Sequence, residues 1–141
     1  MAKSDRYLEH LAGVPMFEAC SRRELEAIGR LAENYRVPAG MELVHEGRRE
    51  AEFFVIVDGS ATVTRKGKKI ATLGAGDYFG ELAVLVPGPR NATVTVTEPT
   101  EVLGISSREF WGLVMEVPAI MNKVLVGTAR RLHAADNRDI R

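Results

Sequence analysis

The sequence predicts a mainly β fold with flanking helices: one domain organised as an antiparallel jelly-roll β-barrel with helices on both sides. Three observations carry this expectation. Between residues 37 and 105, short strand-like runs recur, broken by turn signals at Glu46-Gly47, Asp58-Gly59, Lys66-Gly67, Gly74-Ala75-Gly76 and Glu98-Pro99. Before and after that region the apolar residues recur at helical spacing instead. The chain has 141 residues, 45% apolar and 27% charged, which is enough for one sizeable core and too apolar for disorder. Many short strands at this spacing suit a small sandwich or barrel. The expected organisation is N-terminal helices over 1–36, the β-barrel over 37–105 and C-terminal helices over 106–141.

The elements follow in order. Ser4 caps a short helix to Leu11, with Tyr7, Leu8 and Leu11 on one side, and Gly13 and Pro15 end it. Met16-Phe17 forms an apolar plug. Ser21-Arg22-Arg23-Glu24 is a capping box, which starts a helix carrying Leu25, Ile28 and Leu31. Pro38-Ala39-Gly40 breaks the helical pattern. The strand-like runs are Met41–Val44, Phe53–Asp58, Ala61–Arg65, Lys68–Leu73, Asp77–Phe79, Ala92–Thr97 and Glu101–Ile105. Phe53-Phe54-Val55-Ile56-Val57 is wholly apolar and should be buried on both faces, whereas Ala61–Thr64 and Thr93–Val96 alternate and should present one core face each. Ser106-Ser107-Arg108-Glu109 is a second cap, and Pro118 opens the last helix with Ile120, Met121, Val124, Leu125 and Leu132 on its apolar side. That helix ends in Arg130, Arg131, His133, Arg138 and Arg141, as suits a helix C-terminus and a solvated tail.

Composition removes several function classes. Lys+Arg and Asp+Glu both total 19, without the basic surplus of a typical nucleic-acid-binding domain. The single Cys20 allows no internal disulfide and no multi-cysteine zinc site. The three histidines, His10, His45 and His133, are too scattered for a metal centre. Gly74-Ala75-Gly76 lacks the third glycine and crossover helix of a dinucleotide loop, and Gly67-Lys68 is followed by Lys69, not by the Ser or Thr of a nucleotide-hydrolase phosphate loop. No nucleophile sits beside an evident base, so the chain reads as a binder and not as an enzyme. No run approaches eighteen apolar residues and no signal-peptide core is present, so the expected location is the cytoplasm with no membrane segment in this chain.

The stretch Tyr78-Phe79-Gly80-Glu81-Leu82-Ala83-Val84-Leu85-Val86-Pro87-Gly88-Pro89-Arg90-Asn91-Ala92-Thr93-Val94 is of a different kind. A Gly-Glu pair opens onto a turn of helix, whose backbone N–H groups suit an anion. Arg90 adds a permanent charge and a forked set of donors. Glu81 would repel an anion, so it must pair with a hydroxyl, an amine or a second cation. Pro87 and Pro89 restrict the return path and direct Arg90 back toward the start of the turn.

Phe79-Gly80-Glu81-Leu82-Ala83, followed by Pro89-Arg90-x-Ala92-Thr93-Val94, resembles the phosphate-binding cassette of cyclic nucleotide-binding domains. That family includes regulatory subunits of cyclic AMP-dependent protein kinase, the bacterial catabolite activator and cyclic nucleotide-gated channels. The resemblance covers most of the chain and places the cassette at 79–94. It implies that Arg90 pairs with the cyclic phosphate and that Glu81 accepts from the ribose 2′-hydroxyl. It also implies that Phe79, Gly80, Leu82, Ala83 and Ala92 build the cradle, while Val63 and Leu73 wall the ligand. Asn91 stands where the family often carries alanine or threonine, so purine choice is open: cyclic AMP is the expected ligand and cyclic GMP the alternative. No further cofactor is implied. Leu132 and His133 are candidates to cover the base. The implied role is a sensor that moves its C-terminal helices on binding and acts on an unidentified effector protein. The alternatives are a ligand-free protein-contact module, or the regulatory domain of a channel or transcription factor. The chain stops at Arg141 with no room for a helix-turn-helix, so no direct DNA contact is expected. The apolar side of the last helix either covers the barrel or forms a homodimer.

Overall fold

The computed structural model describes residues 5–14, 17, 19–49, 52–80 and 88–139. The elements in chain order are α1 (Asp5–Ala12), α2 (Arg22–Leu31), β1 (Glu33–Val37), β2 (Glu42–Val44), β3 (Glu52–Asp58), β4 (Ser60–Arg65), β5 (Lys68–Gly74), β6 (Tyr78–Phe79), β7 (Thr93–Val96), β8 (Thr100–Ser106), α3 (Ser107–Glu116) and α4 (Pro118–Asp139).

Two four-stranded sheets form, in the orders β1-β8-β3-β6 and β2-β7-β4-β5. All their pairings are antiparallel. Among the described residues no ladder joins one sheet to the other. The fold is therefore a jelly-roll sandwich of two open sheets, not the closed barrel that the strand spacing suggests. The spacing of short strands is common to both architectures, and only the non-local pairing separates them.

The uniformly apolar run in β3 behaves as its composition predicts, because it serves two cores. Phe53, Val55 and Val57 face the helices, joining Leu11, Phe17, Ile28, Phe110 and Val124 in one cluster. Phe54 and Ile56 face the second sheet, with Val44, Ala61, Phe79, Val94 and Val102. The layers are thus helices, sheet, sheet, with β3 central to both interfaces.

The helix starts follow local rules. Ser21 Oγ accepts from Glu24 N–H at 3.1 Å while Glu24 Oε1 accepts from Ser21 N–H at 2.9 Å. The Ser106–Glu109 box repeats this at 3.2 and 3.3 Å. Each cap satisfies amide groups that a helix N-terminus otherwise leaves unbonded.

One strand does not figure among the expected runs. Residues 33–37, assigned above to the N-terminal helical region up to residue 36, form β1 along β8, from Glu33↔Gly104 to Val37↔Thr100. Its side chains are mostly polar and exposed, so it has no apolar alternation to read. Pairing with β8, and not its own composition, makes it a strand. No single helix among the described residues is long and apolar enough to cross a membrane.

Candidate functional site

The site lies where β6 leaves the first sheet and the chain returns into β7. Arg90 is buried, with 6% of its surface exposed. A buried guanidinium must be surrounded by acceptors, and the structure supplies them from the main chain. Nη2 donates to the Glu52 carbonyl at 2.7 Å and Nη1 to the Gly80 carbonyl at 3.3 Å. The planar fork thus spans the start of β3 and the end of β6. Both of these bonds run to neutral main-chain carbonyls, which fix the plane of the guanidinium.

Gly80 makes this arrangement possible. Its φ is +87°, and a Cβ there would stand 2.5 Å from the Glu52 carbonyl oxygen and 2.9 Å from Arg90 Nη1. Only glycine combines that backbone geometry with that close approach. The main chain of Arg90 is held as firmly: its N–H donates to the Arg48 carbonyl at 2.7 Å, and its carbonyl accepts from Gly47 N–H at 2.8 Å. Glu46 N–H donates to Thr93 Oγ1 at 3.0 Å, and Glu46 Oε1 accepts from Lys66 N–H at 3.0 Å. Asn91 is exposed, and its carbonyl accepts from Arg65 Nε at 2.9 Å. The turns at 45–48 and 65–67 are therefore both laced to the segment carrying Arg90.

The other expected site residues divide into two groups. Phe79 is buried and stacks on Phe54 at 5.2 Å between ring centroids. Ala92 is buried beside Arg90 in sequence, and Val63 and Leu73 are half-buried against the inter-sheet cluster. Phe79 and Ala92 lie at the Arg90 end of the sandwich, Val63 stands opposite Val94 in mid-sheet, and Leu73, opposite Ala61, lies toward the other end. Glu81, Leu82 and Ala83 lie outside the described residues, as does the side chain of Leu132. His133 is exposed on α4.

Several contributors escape sequence reading. Glu52 acts through a backbone carbonyl, which any residue carries. Its side chain Oε2 lies 3.4 Å from the Tyr35 hydroxyl, whose pKa is pushed up to about 12, first by burial and then by Glu33 and Glu52. Tyr35 therefore stays a neutral donor at physiological pH. Tyr78 stacks on Phe53 at 5.6 Å, and its hydroxyl makes a long 3.5 Å hydrogen bond to the Val124 carbonyl of α4. A Cβ on Gly127 would run into that hydroxyl. The Tyr-Phe-Gly spacing marks β6, but nothing local reveals that its tyrosine docks on a helix about fifty residues later.

A two-sheet jelly roll with flanking helices and a buried arginine at the cassette defines a ligand-binding regulatory fold. The family model described as cyclic nucleotide-binding domain matches residues 35–117, and the chain belongs to that family. It is similar to the cAMP-dependent protein kinase regulatory subunit of Mycosarcoma maydis, 36% identical over 126 residues, covering 83% of this chain and 24% of that protein. It is also similar to the Pycsar effector protein PaPycTIR of Pseudomonas aeruginosa, 34% identical over 112 residues, covering 79% of this chain and 35% of that protein. Among solved structures, the Thermus thermophilus catabolite activator protein superposes with a TM-score of 0.81 at 25% identity, covering 88% of this chain and 61% of that one. The chain thus spans about a quarter to a third of the two curated relatives.

Proposed function

We propose that this domain is a sensor that binds a cyclic nucleotide at Arg90, with cyclic AMP as its first ligand, and transmits occupancy through α4. The observation that carries the reading is the buried Arg90 guanidinium, oriented by the Glu52 and Gly80 carbonyls between β6 and β7. An anion with the geometry of a cyclic phosphate suits such a fork. Cyclic AMP is preferred because the kinase relative is named for it. Calorimetric titration with cyclic AMP and cyclic GMP tests both the binding and the choice. Cyclic AMP should bind more tightly, and a protein that binds neither nucleotide would overturn the reading.

Glu81 completes the proposal from the sequence, as acceptor for the ribose 2′-hydroxyl. A hydrogen bond to a charged group contributes about 1.5–3 kcal/mol. Glu81→Gln is therefore expected to cut the preference for cyclic AMP over its 2′-deoxy analogue by about tenfold or more. The two affinities, measured on wild type and variant, check this, and an unchanged ratio would remove the carboxylate from the site.

Support for transmission comes from the stack that leaves the cassette strand. Tyr78 packs on Phe53, and Phe53 meets Phe110 of α3 at 5.5 Å. The same tyrosine reaches α4 at Val124 and Gly127. Displacing β6 would disturb both helices, and a ligand with different affinities for the two arrangements shifts their populations. Gly127→Ala should force Tyr78 off α4. Alanine favours a helix over glycine by about 1 kcal/mol, and overpacking costs about 1–3 kcal/mol, so global stability is a poor readout. Hydrogen exchange is the better one. In the ligand-free variant α4 should exchange faster than in wild type, and in wild type nucleotide should slow it. Identical α4 exchange in wild type with and without nucleotide would count against switching.

A further inference from the structure

The charges of the sandwich are segregated by end. β3 runs from Glu52 to Asp58 and β4 returns from Ser60 to Arg65, so Arg65 lies at the Glu52 end, beside Arg90. The register agrees, with Thr64 opposite Thr93. At that end Arg48, Arg49, Arg65, Lys66, Lys68 and Lys69 are all exposed. The opposite end carries Asp58, Asp77, Glu98 and Glu101, at the turns that return the chain from β3, β5 and β7. Among the described residues the carboxylates at the Arg90 end, Glu33, Glu46 and Glu52, are fewer than these cations. Glu46 accepts from Lys66 N–H, and the Glu52 side chain turns to Tyr35. In a chain of zero formal net charge, the described residues around the buried arginine thus form a net positive rim.

Arg65 is the member of that rim tied directly to the site. Its Nε–H donates to the Asn91 carbonyl, in the peptide that joins Asn91 to Ala92. That bond ties the end of β4 to the segment carrying Arg90. We propose that Arg65 is a further ligand-positioning residue, one that anchors the Asn91–Ala92 peptide next to Arg90 and draws the anionic ligand in by its charge. The inference rests on the reading of Arg90 as a cyclic-phosphate site. A rim cation acts mainly on the association rate and its salt dependence, while an anchor acts on dissociation. The two roles therefore leave separate signatures.

The test is the kinetics of cyclic AMP binding to the full chain, by surface plasmon resonance across a range of salt. Arg65→Gln should lower the association rate by about threefold to tenfold at low salt, with the difference closing at high salt. It should also raise the dissociation rate by about threefold, through loss of the Asn91 anchor. Arg65→Lys should restore the association rate and its salt dependence but not the slow dissociation, because the ammonium keeps the charge without the planar fork. Arg36→Gln removes one exposed charge beside Glu101 at the other end and should leave both rates unchanged. An Arg65→Gln association rate with wild-type salt dependence would overturn the proposal, as would an equal loss in Arg36→Gln. If wild type itself binds neither cyclic AMP nor cyclic GMP, the underlying reading of the Arg90 site has failed. Wild-type binding with unaltered Arg65→Gln kinetics instead overturns this inference alone.

Discussion

Arg90→Ala is expected to weaken cyclic nucleotide binding by a hundredfold or more, by calorimetric titration. A factor of that size corresponds to about 2.7 kcal/mol, and losing one partner of a buried charge pair costs about 3–5 kcal/mol. The ligand phosphate would enter a site from which its buried cation has gone. The substitution also acts on the ligand-free protein. The Glu52 and Gly80 carbonyls lose their donor, and a buried acceptor left unmade costs about 1–3 kcal/mol. A denaturant melt must therefore accompany the titration. Arg90→Lys separates the two effects, since it keeps the charge but cannot place two donors in the same plane against both carbonyls. It should bind more tightly than Arg90→Ala and more weakly than wild type. Wild-type affinity in Arg90→Ala, in a protein that still melts cooperatively, would remove this arginine from the site.

The second large effect is expected at Gly80. Alanine there must adopt a φ of +87° and place its Cβ 2.5 Å from the Glu52 carbonyl oxygen. The backbone conformation alone costs an L-residue about 1–2 kcal/mol. The clash cannot be relieved cheaply, because Glu52 is held in β3 against β8 and the other neighbour is the Arg90 fork. Overpacking of this kind adds about 1–3 kcal/mol. Gly80→Ala should therefore destabilise the domain by about 2 kcal/mol or more and lower nucleotide affinity nearly as far as Arg90→Ala does. Gly40 provides the comparison. It has a similar φ of +92°, but an added Cβ would meet nothing within 4 Å. Gly40→Ala should show the backbone cost alone, about 1 kcal/mol in a melt, with binding intact. Equal effects at the two glycines would show that the close packing against Glu52 and Arg90 has no energetic weight.

What could be read from the residues and what could not follow one division. The capping boxes at Ser21 and Ser106 formed as expected because each is completed within three residues. The two-faced burial of β3 was equally legible, since an unbroken apolar run has no solvated side to offer. Arg90 stood out by its place in the cassette, and the family match covers that segment. By contrast, β1 carries no apolar period and becomes a strand through β8. The open sandwich differs from a barrel only in which strands fail to pair. Arg65 had no mark of its own beyond belonging to a basic hairpin.

The composition and local patterns of this chain were enough to establish helix–β–helix order and the turn positions, because those depend on contacts within a few residues, and to single out Arg90. The acceptors around that arginine are another matter. They are backbone carbonyls of Glu52 and Gly80, groups that every residue carries, and they meet Arg90 only because β3 and β6 pair side by side. The docking of Tyr78 on Gly127 likewise joins residues far apart in the chain across the helical layer. Such contacts depend on which distant elements share a core, so long-range packing set them.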